Sequence, residues 1–268
     1  MVFKEISKSK INETDLLWRY IDLHKLINLA TNNELHFTRT DQFPDPFEGV
    51  TYKLIAERYF AKKTNMTDPS IDKKIREDHN RRNKETLENY ETESLNEQKT
   101  QYINCWIRSE RESISMWNLY SNRDSIAIKA KAQNLIDYFK RNLELQPYHY
   151  PKYKFICSSI NYLRLNPFDP FQKPKLPQYS SFKKDVAYDF EKEYRFLIAT
   201  PASEIDSNPE FFRYKISKNF IELIEIVCHP EMEKWKFNNM KRLCSNLGLP
   251  EPSMSRTEMR IKKTAANK

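Results

Sequence analysis

Glycine is nearly missing from this chain: its 268 residues include only Gly49 and Gly248. That scarcity limits fold and chemistry together. A P-loop, a GxGxxG dinucleotide turn and a GxSxG nucleophile elbow all need glycines where backbone turns sharply or approaches a phosphate. Any nucleotide bound here must therefore be held by side chains. A core is within reach, because 16 Phe, 15 Tyr and 4 Trp supply large burial per residue. The formal net charge of +8 favours acidic partners such as nucleic acid or nucleotides, although both signs are spread along the chain.

Cys105, Cys157, Cys228 and Cys244 form no CxxC pair, the five histidines are equally scattered, and HExxH is absent, so no metal site is expected. The opening MVFKEISKSK lacks a signal-peptide apolar region, and no apolar run reaches membrane-spanning length. These features predict a soluble cytoplasmic protein with reduced thiols and no membrane partner.

Apolar periodicity predicts a helix from Asp22, with Leu23, Leu26, Ile27 and Ala30 on one stripe and Asn32-Asn33 as its end. LHFTR then reads as a strand and TDQFPDPFEG as a loop, where Pro46 keeps Asp45 out of helical geometry. Residues 62–101 are rich in charges of both signs and predict an exposed, mostly helical insert. Strands follow at YINCWI and SIAIKA, helices at 113–121 and 132–143. Residues 146–178 read as a long connection with at most one strand, FICSSINYL. Late strands are expected at EYRFLIA, FFRYKI and LIEIVCH, and a last helix from near Pro230, using Met232, Trp235, Leu243 and Leu247, stops at Gly248. Helices and strands do not alternate regularly, so the expected class is α+β, with mixed, mostly antiparallel sheets and surrounding helices. One domain would span residues 1–250, followed by a loose basic tail at 251–268.

Three segments resemble the signature blocks of the bacterial domain-of-unknown-function family numbered 2971: LWRY…NNELHFTRTDQFPDPFEG, NCWIRSERESISMWNLYS and SFKKDVAYDFEKEYRF. The likeness is specific at Asp45-Pro46-Phe47-Glu48, at Met116-Trp117 with Tyr120, and at Glu191 to Arg195. It departs from the family after Tyr120, where Arg123, Asp124 and Ser125 stand in place of an expected glycine. The family name carries no activity. More distantly, an apolar strand ending in arginine, a helix and a second strand resemble the start of ADP-ribosyltransferase folds, whose core is a split sheet. That resemblance implies NAD as substrate, gripped by an arginine or histidine of the first strand, with a glutamate of a late strand doing the chemistry. Here those positions fall to Arg19 and to Glu191 and Glu193. It is an analogy at the level of fold.

The residues themselves allow such chemistry. Alternation along EYRFLIA places Glu193 and Arg195 on one face, with Glu191 in the same phase. Cleaving the ribose–nicotinamide bond creates an oxocarbenium-like centre, which a fixed carboxylate stabilises. Arginine offers paired donors to a diphosphate, and Trp117 or Tyr120 could stack on a ring. The cofactor-binding set would be Arg19, Tyr20, Trp117, Tyr120 and Arg195. Structural roles compete at each position. Arg19 could pair with Asp22, Asp45 or Glu48; Glu191 and Arg195 could belong to a salt-bridged strand face; Trp117 and Tyr120 could be core. Asp45 and Glu48 could make a turn or cap a helix, and His36 could be a strand-edge residue or a substitute ligand.

Three functions follow as expectations. The first is an NAD-dependent ADP-ribosyltransferase-like enzyme, a toxin or defence effector modifying nucleic acid or protein. The second is a non-catalytic nucleic-acid binder using basic and aromatic surface. The third is a metal-dependent nuclease built on Asp45, Glu48, Glu191 and Glu193.

Overall fold

The structure, a computed structural model, describes residues 2–5, 11–143, 152–164 and 179–255. The fold is α+β, with helices around a large mixed, mostly antiparallel sheet. Its first strands are β1 (Val2–Glu5), β2 (Leu16–Ile21), β3 (Glu34–Arg39), β4 (Gln101–Arg108), β5 (Ile126–Lys131) and β6 (Lys154–Ser159). The short strands β7 (Asn161–Leu163) and β8 (Lys183–Asp185) make a separate parallel pair. The large sheet is completed by β9 (Glu193–Ala199), β10 (Phe211–Lys215), β11 (Glu225–Cys228) and β12 (Ser253–Met254). The order is β1-β6-β9-β4-β2-β5-β11-β12, with β3 and β10 branching from β4.

That branch positions the rest. On one edge β4 pairs with β9 along its length, from Gln101↔Ala199 to Ile107↔Glu193. On the other edge it is shared: Leu17↔Arg108 and Trp18↔Ile107 join it to β2, whereas Thr38↔Ile103 and Arg39↔Tyr102 join it to β3. Between these contacts the sheet forks. Asn104 satisfies the opened backbone by donating from Nδ2 to the His36 carbonyl at 2.8 Å. A backbone acceptor left bare at such depth would cost about 1–3 kcal/mol.

The helices are α1 (Leu23–Asn32), α2 (Tyr52–Thr64), α3 (Lys73–Lys99), α4 (Ile114–Tyr120), α5 (Ala132–Arg141), α6 (Lys218–Leu223) and α7 (Lys234–Asn246). Asp22 caps α1 by accepting from the Lys25 amide at 2.8 Å, and Asn33 ends it in the left-handed region at φ 53°. Leu135, Ile136 and Phe139 of α5 pack on the main core with Trp106, Phe155 and Phe196 of the sheet. Each such fully buried large side chain contributes about 1.5–3 kcal/mol. Smaller apolar clusters occupy the opposite face, one around Leu197 and Phe182 and one around Trp117 and Trp18. Among the described residues no helix is long and apolar enough to cross a membrane.

Several boundaries differ from expectation. The charged insert is a helical hairpin that starts earlier, at Tyr52: Lys53–Glu93 and Arg58–Glu91 ion pairs tie α2 to α3, and Leu54 and Ile55 pack near Leu87 and Tyr90. FICSSINYL is two strands, because β6 leaves β9 at Ser159 and Ile160 turns to donate its amide to the Glu193 carbonyl. Trp235 is exposed, since α7 turns Met240 and Cys244 inward instead. Ser253 and Met254 of the expected tail form an edge strand beside β11. Residues 256–268 and most of 146–178 lie outside the described residues.

Candidate functional site

Three chain segments deliver charged side chains to one point beneath β9. The first is the loop after β3. Asp45 makes its turn, its Oδ1 accepting from the Phe47 amide at 2.9 Å, and the Glu48 amide donates to the Asp45 carbonyl at 3.1 Å. Gly49 follows at φ 68° and lies against Thr40, so Glu48 turns inward, almost fully buried. The second is β8, which supplies Lys184. The third is the 3-10 stretch Val186–Glu191, after which Lys192 adopts the left-handed region at φ 45° before β9 begins. Along β9, Glu193 and Arg195 share the face of Leu197, while Tyr194, Phe196 and Ile198 enter the main core.

The result is a buried ionic chain that runs from Glu48 to Glu191. Arg195 donates through both terminal nitrogens to Glu48, at 2.5 and 2.8 Å, and through Nε to Glu193 at 2.6 Å. Lys184 bridges Glu193 at 2.8 Å and Glu191 at 2.5 Å. The Tyr120 hydroxyl, arriving from α4, donates to the other Glu191 oxygen. The Tyr162 hydroxyl accepts from the Glu193 amide at 2.8 Å. No buried side-chain polar atom among the described residues lacks a partner.

This arrangement drives the two neighbouring carboxyls apart. Burial, then the proximity of Glu193, pushes Glu191 up to about 7. Burial opposes charge on Glu193 too, but the Arg195 guanidinium outweighs it, with Lys184 adding to the effect, and holds that carboxyl well below the usual range. Burial and Glu191 raise the Tyr120 hydroxyl. Around neutral pH the site therefore holds one permanently charged carboxylate beside one that can gain or lose a proton, a division that suits acid–base work.

Glu193 also lines a cleft of about 850 Å³ at the end of β4 and β9. Its other walls include Arg108, Arg111, Lys192, Tyr162 and Asp189. Arg108 is paired with Asp15 at 2.6 Å, whereas Arg111 and Lys192 are exposed and make no ion pair among the described residues. The exposed ring of Tyr120 stands at the end of α4, and those of Tyr188 and Phe190 on the 3-10 stretch that ends in Glu191.

The other expected residues fall elsewhere. Arg19 alternates with Leu17 and Ile21, both in the main core, so it lies across the sheet from Glu193. It makes no ion pair among the described residues and donates only to the His36 carbonyl, at 3.4 Å. His36 sits on β3 with Nε2 3.0 Å from Asn28 Nδ2, its ring near Phe211. Trp117 is fully buried, edge-on to Tyr20 at 4.8 Å, and the Tyr20 hydroxyl accepts from the Ser113 amide. Both belong to the packing of α4 on the sheet. Asp45 makes its turn and stays outside the ionic chain. Sequence reading missed Lys184, whose only local signal was its place within SFKKD, and the cleft residues Arg108 and Arg111.

Comparisons with family models, curated proteins and solved structures give no match.

Proposed function

We propose that the chain is an NAD-consuming transferase of the ADP-ribosyltransferase kind, working from the Glu193 cleft. The observation that carries this reading is Glu193 itself: an ionised carboxylate, pinned by Arg195 and Lys184, on the wall of a cleft with arginine and lysine at its rim. The volume suits a dinucleotide. Arg111 and Lys192 would face the diphosphate, a role that sequence alone gave to Arg19. As the bond to nicotinamide lengthens, positive charge grows on the ribose, and the fixed Glu193 carboxylate stabilises it without reorganising. Each Glu193 oxygen keeps a lone pair beyond those given to Lys184 and Arg195. Glu191, gaining or losing a proton to solvent near neutrality while the Tyr120 hydroxyl donates to it, would tune that charge. The order Glu191-Lys192-Glu193 ahead of a late strand and the fork at β4 support the same reading. The acceptor would be nucleic acid or protein, as for a toxin or defence effector. Four free thiols suit the reducing cytoplasm.

The test is nicotinamide release from NAD by the full chain and by Glu193→Gln. Release by the parent, lost in a variant that still folds, supports the proposal; equal release by both, or none by the parent with any acceptor offered, removes it.

A second reading, a nucleic-acid binder, is favoured by the exposed aromatics Tyr188 and Phe190 on the 3-10 stretch that leads into the exposed Lys192 of the cleft. Its signature is affinity that falls steeply with salt. The metal-nuclease expectation gains no support: Glu48, Glu191 and Glu193 turn to Arg195 and Lys184, and no metal-holding group of acidic, His or Cys side chains occurs among the described residues.

A further inference from the structure

Arg19 is among the site residues expected from sequence that the Glu193 cleft leaves unused, and its surroundings form a pocket of their own. Where β2 and β3 part from β4, α1 closes a space of about 410 Å³. Ile21, Leu29, Leu35 and Ile128 give it an apolar wall, and its polar members include Arg19, His36, Asn28 and Lys25 with the acids Asp22 and Glu34. The nearby acids are already engaged. Asp22 pairs with Lys25 at 3.3 Å, and Glu34 pairs with Lys215 at 2.6 Å. The Arg19 guanidinium has no carboxylate within ion-pair reach among the described residues. Its single bond, to the His36 carbonyl at 3.4 Å, is long, and Asn104 already donates to that oxygen at 2.8 Å. Burial lowers the Arg19 pKa only to about 10, so the charge persists at neutral pH. A charged guanidinium beside an apolar wall, with so weak a partner and the nearby acids held by other cations, is an incomplete arrangement.

We propose that this fork is a second binding site, for a small organic carboxylate with an apolar body. The guanidinium would take the carboxylate through two parallel hydrogen bonds, and the aliphatic walls would cover the body. A singly charged ligand fits better than a phosphate dianion, because Asp22 and Glu34 stand at the same pocket and repel excess negative charge. The site lies across the sheet from Glu193 and is independent of the transferase reading.

Octanoate is the probe, titrated into the full chain by calorimetry beside octanol, which has the same body and no charge, and inorganic phosphate. The expected result is saturable octanoate binding at one site per chain, at least tenfold tighter than octanol or phosphate. Arg19→Gln should lose at least tenfold in octanoate affinity, while Glu193→Gln should bind as the parent does. Asn28→Trp, which narrows the pocket and leaves Arg19 in place, should also lose binding, and it carries the test if Arg19→Gln does not fold. Absence of octanoate binding, equal affinity for octanol, tighter binding of phosphate, or undiminished binding by either pocket variant would overturn the proposal.

Discussion

Glu48 and Arg195 meet through two parallel hydrogen bonds across 147 residues of sequence, and both are almost fully buried. The pair ties the loop after β3 to the centre of the sheet. Desolvating two such charges is unfavourable, and their mutual attraction offsets it only while both are present.

Removing one partner should therefore be severe. Arg195→Met is expected to cost about 3–5 kcal/mol, since Glu48 loses its ion-pair partner and Glu193 keeps only Lys184. Adding Glu48→Leu should recover part of that loss rather than deepen it. Urea titrations of the parent, both single variants and the double variant measure this coupling; strictly additive losses would show that the pair does not act as a unit.

Glu193→Gln should behave differently from Lys184→Met. Three acids, Glu48, Glu191 and Glu193, face two bases, Lys184 and Arg195. Neutralising Glu193 leaves the pairs Lys184–Glu191 and Arg195–Glu48 intact, each charge with an opposite partner, so the loss of stability should stay near 1 kcal/mol. Removing Lys184 leaves two adjacent carboxyls without their bridge and should cost about 3 kcal/mol or more. Thermal denaturation at neutral pH ranks the two, and the reverse order would contradict the charge balance.

Glu191 gives stability a pH dependence of definite sign. The folded chain holds this proton up to about 7, against an ordinary value of 4.5. Between those values the folded state binds more protons than the unfolded one, so this group's contribution falls as pH rises through that window. Glu193 works oppositely: its carboxyl is depressed, so its contribution is present above the ordinary carboxylate value and is lost as pH drops toward its low folded one. Denaturation midpoints followed from pH 4.5 to 7.5 should decline less in Glu191→Gln than in the parent, and parallel profiles would rule this assignment out.

The two glycines should differ sharply in tolerance. At Gly49, φ 68°, an added Cβ would lie 2.5 Å from Thr40 Oγ1 and 2.7 Å from Thr40 Cβ. Gly49→Ala should cost about 2–4 kcal/mol through backbone strain and overpacking, and it should disturb the neighbouring Glu48. Gly248 has φ 66° but nothing within 4 Å, so Gly248→Ala should cost only the left-handed backbone penalty of about 1 kcal/mol. Comparing the melting points of the two variants decides the matter.

What the sequence revealed of the site follows the range of its signals. Alternation within EYRFLIA put Glu193 and Arg195 on one face because strand period is a local property, and β9 keeps it. Asp22, Asn33 and the stripe on α5 were legible for the same reason. The direction of Arg19 was not. Both faces of LWRYI are apolar enough to be buried, so only the register of β2 on β4 and of β4 on β9 shows that Arg19 and Glu193 point to opposite sides. Lys184 was equally hidden, since its approach to Glu193 depends on a 3-10 stretch and on a left-handed lysine, Lys192, that no residue preference announces. Trp117 was left open between core and stacking platform, and the fold, through Tyr20 and His229 packed edge-on to it, places it in the core.

The sharing of β4 between β2, β3 and β9 also sets an order of events during synthesis. β4 ends at Arg108 and its full-length partner β9 ends only at Ala199. At ribosomal speeds, the edge carrying Tyr102 and Trp106 waits roughly 5–20 s for that partner. Over that interval β2 and β3 can dock on the other edge, but the long edge remains an open template for any passing strand. Yield from a cell should therefore depend on translation speed and holding chaperones more than the final stability of the sheet implies.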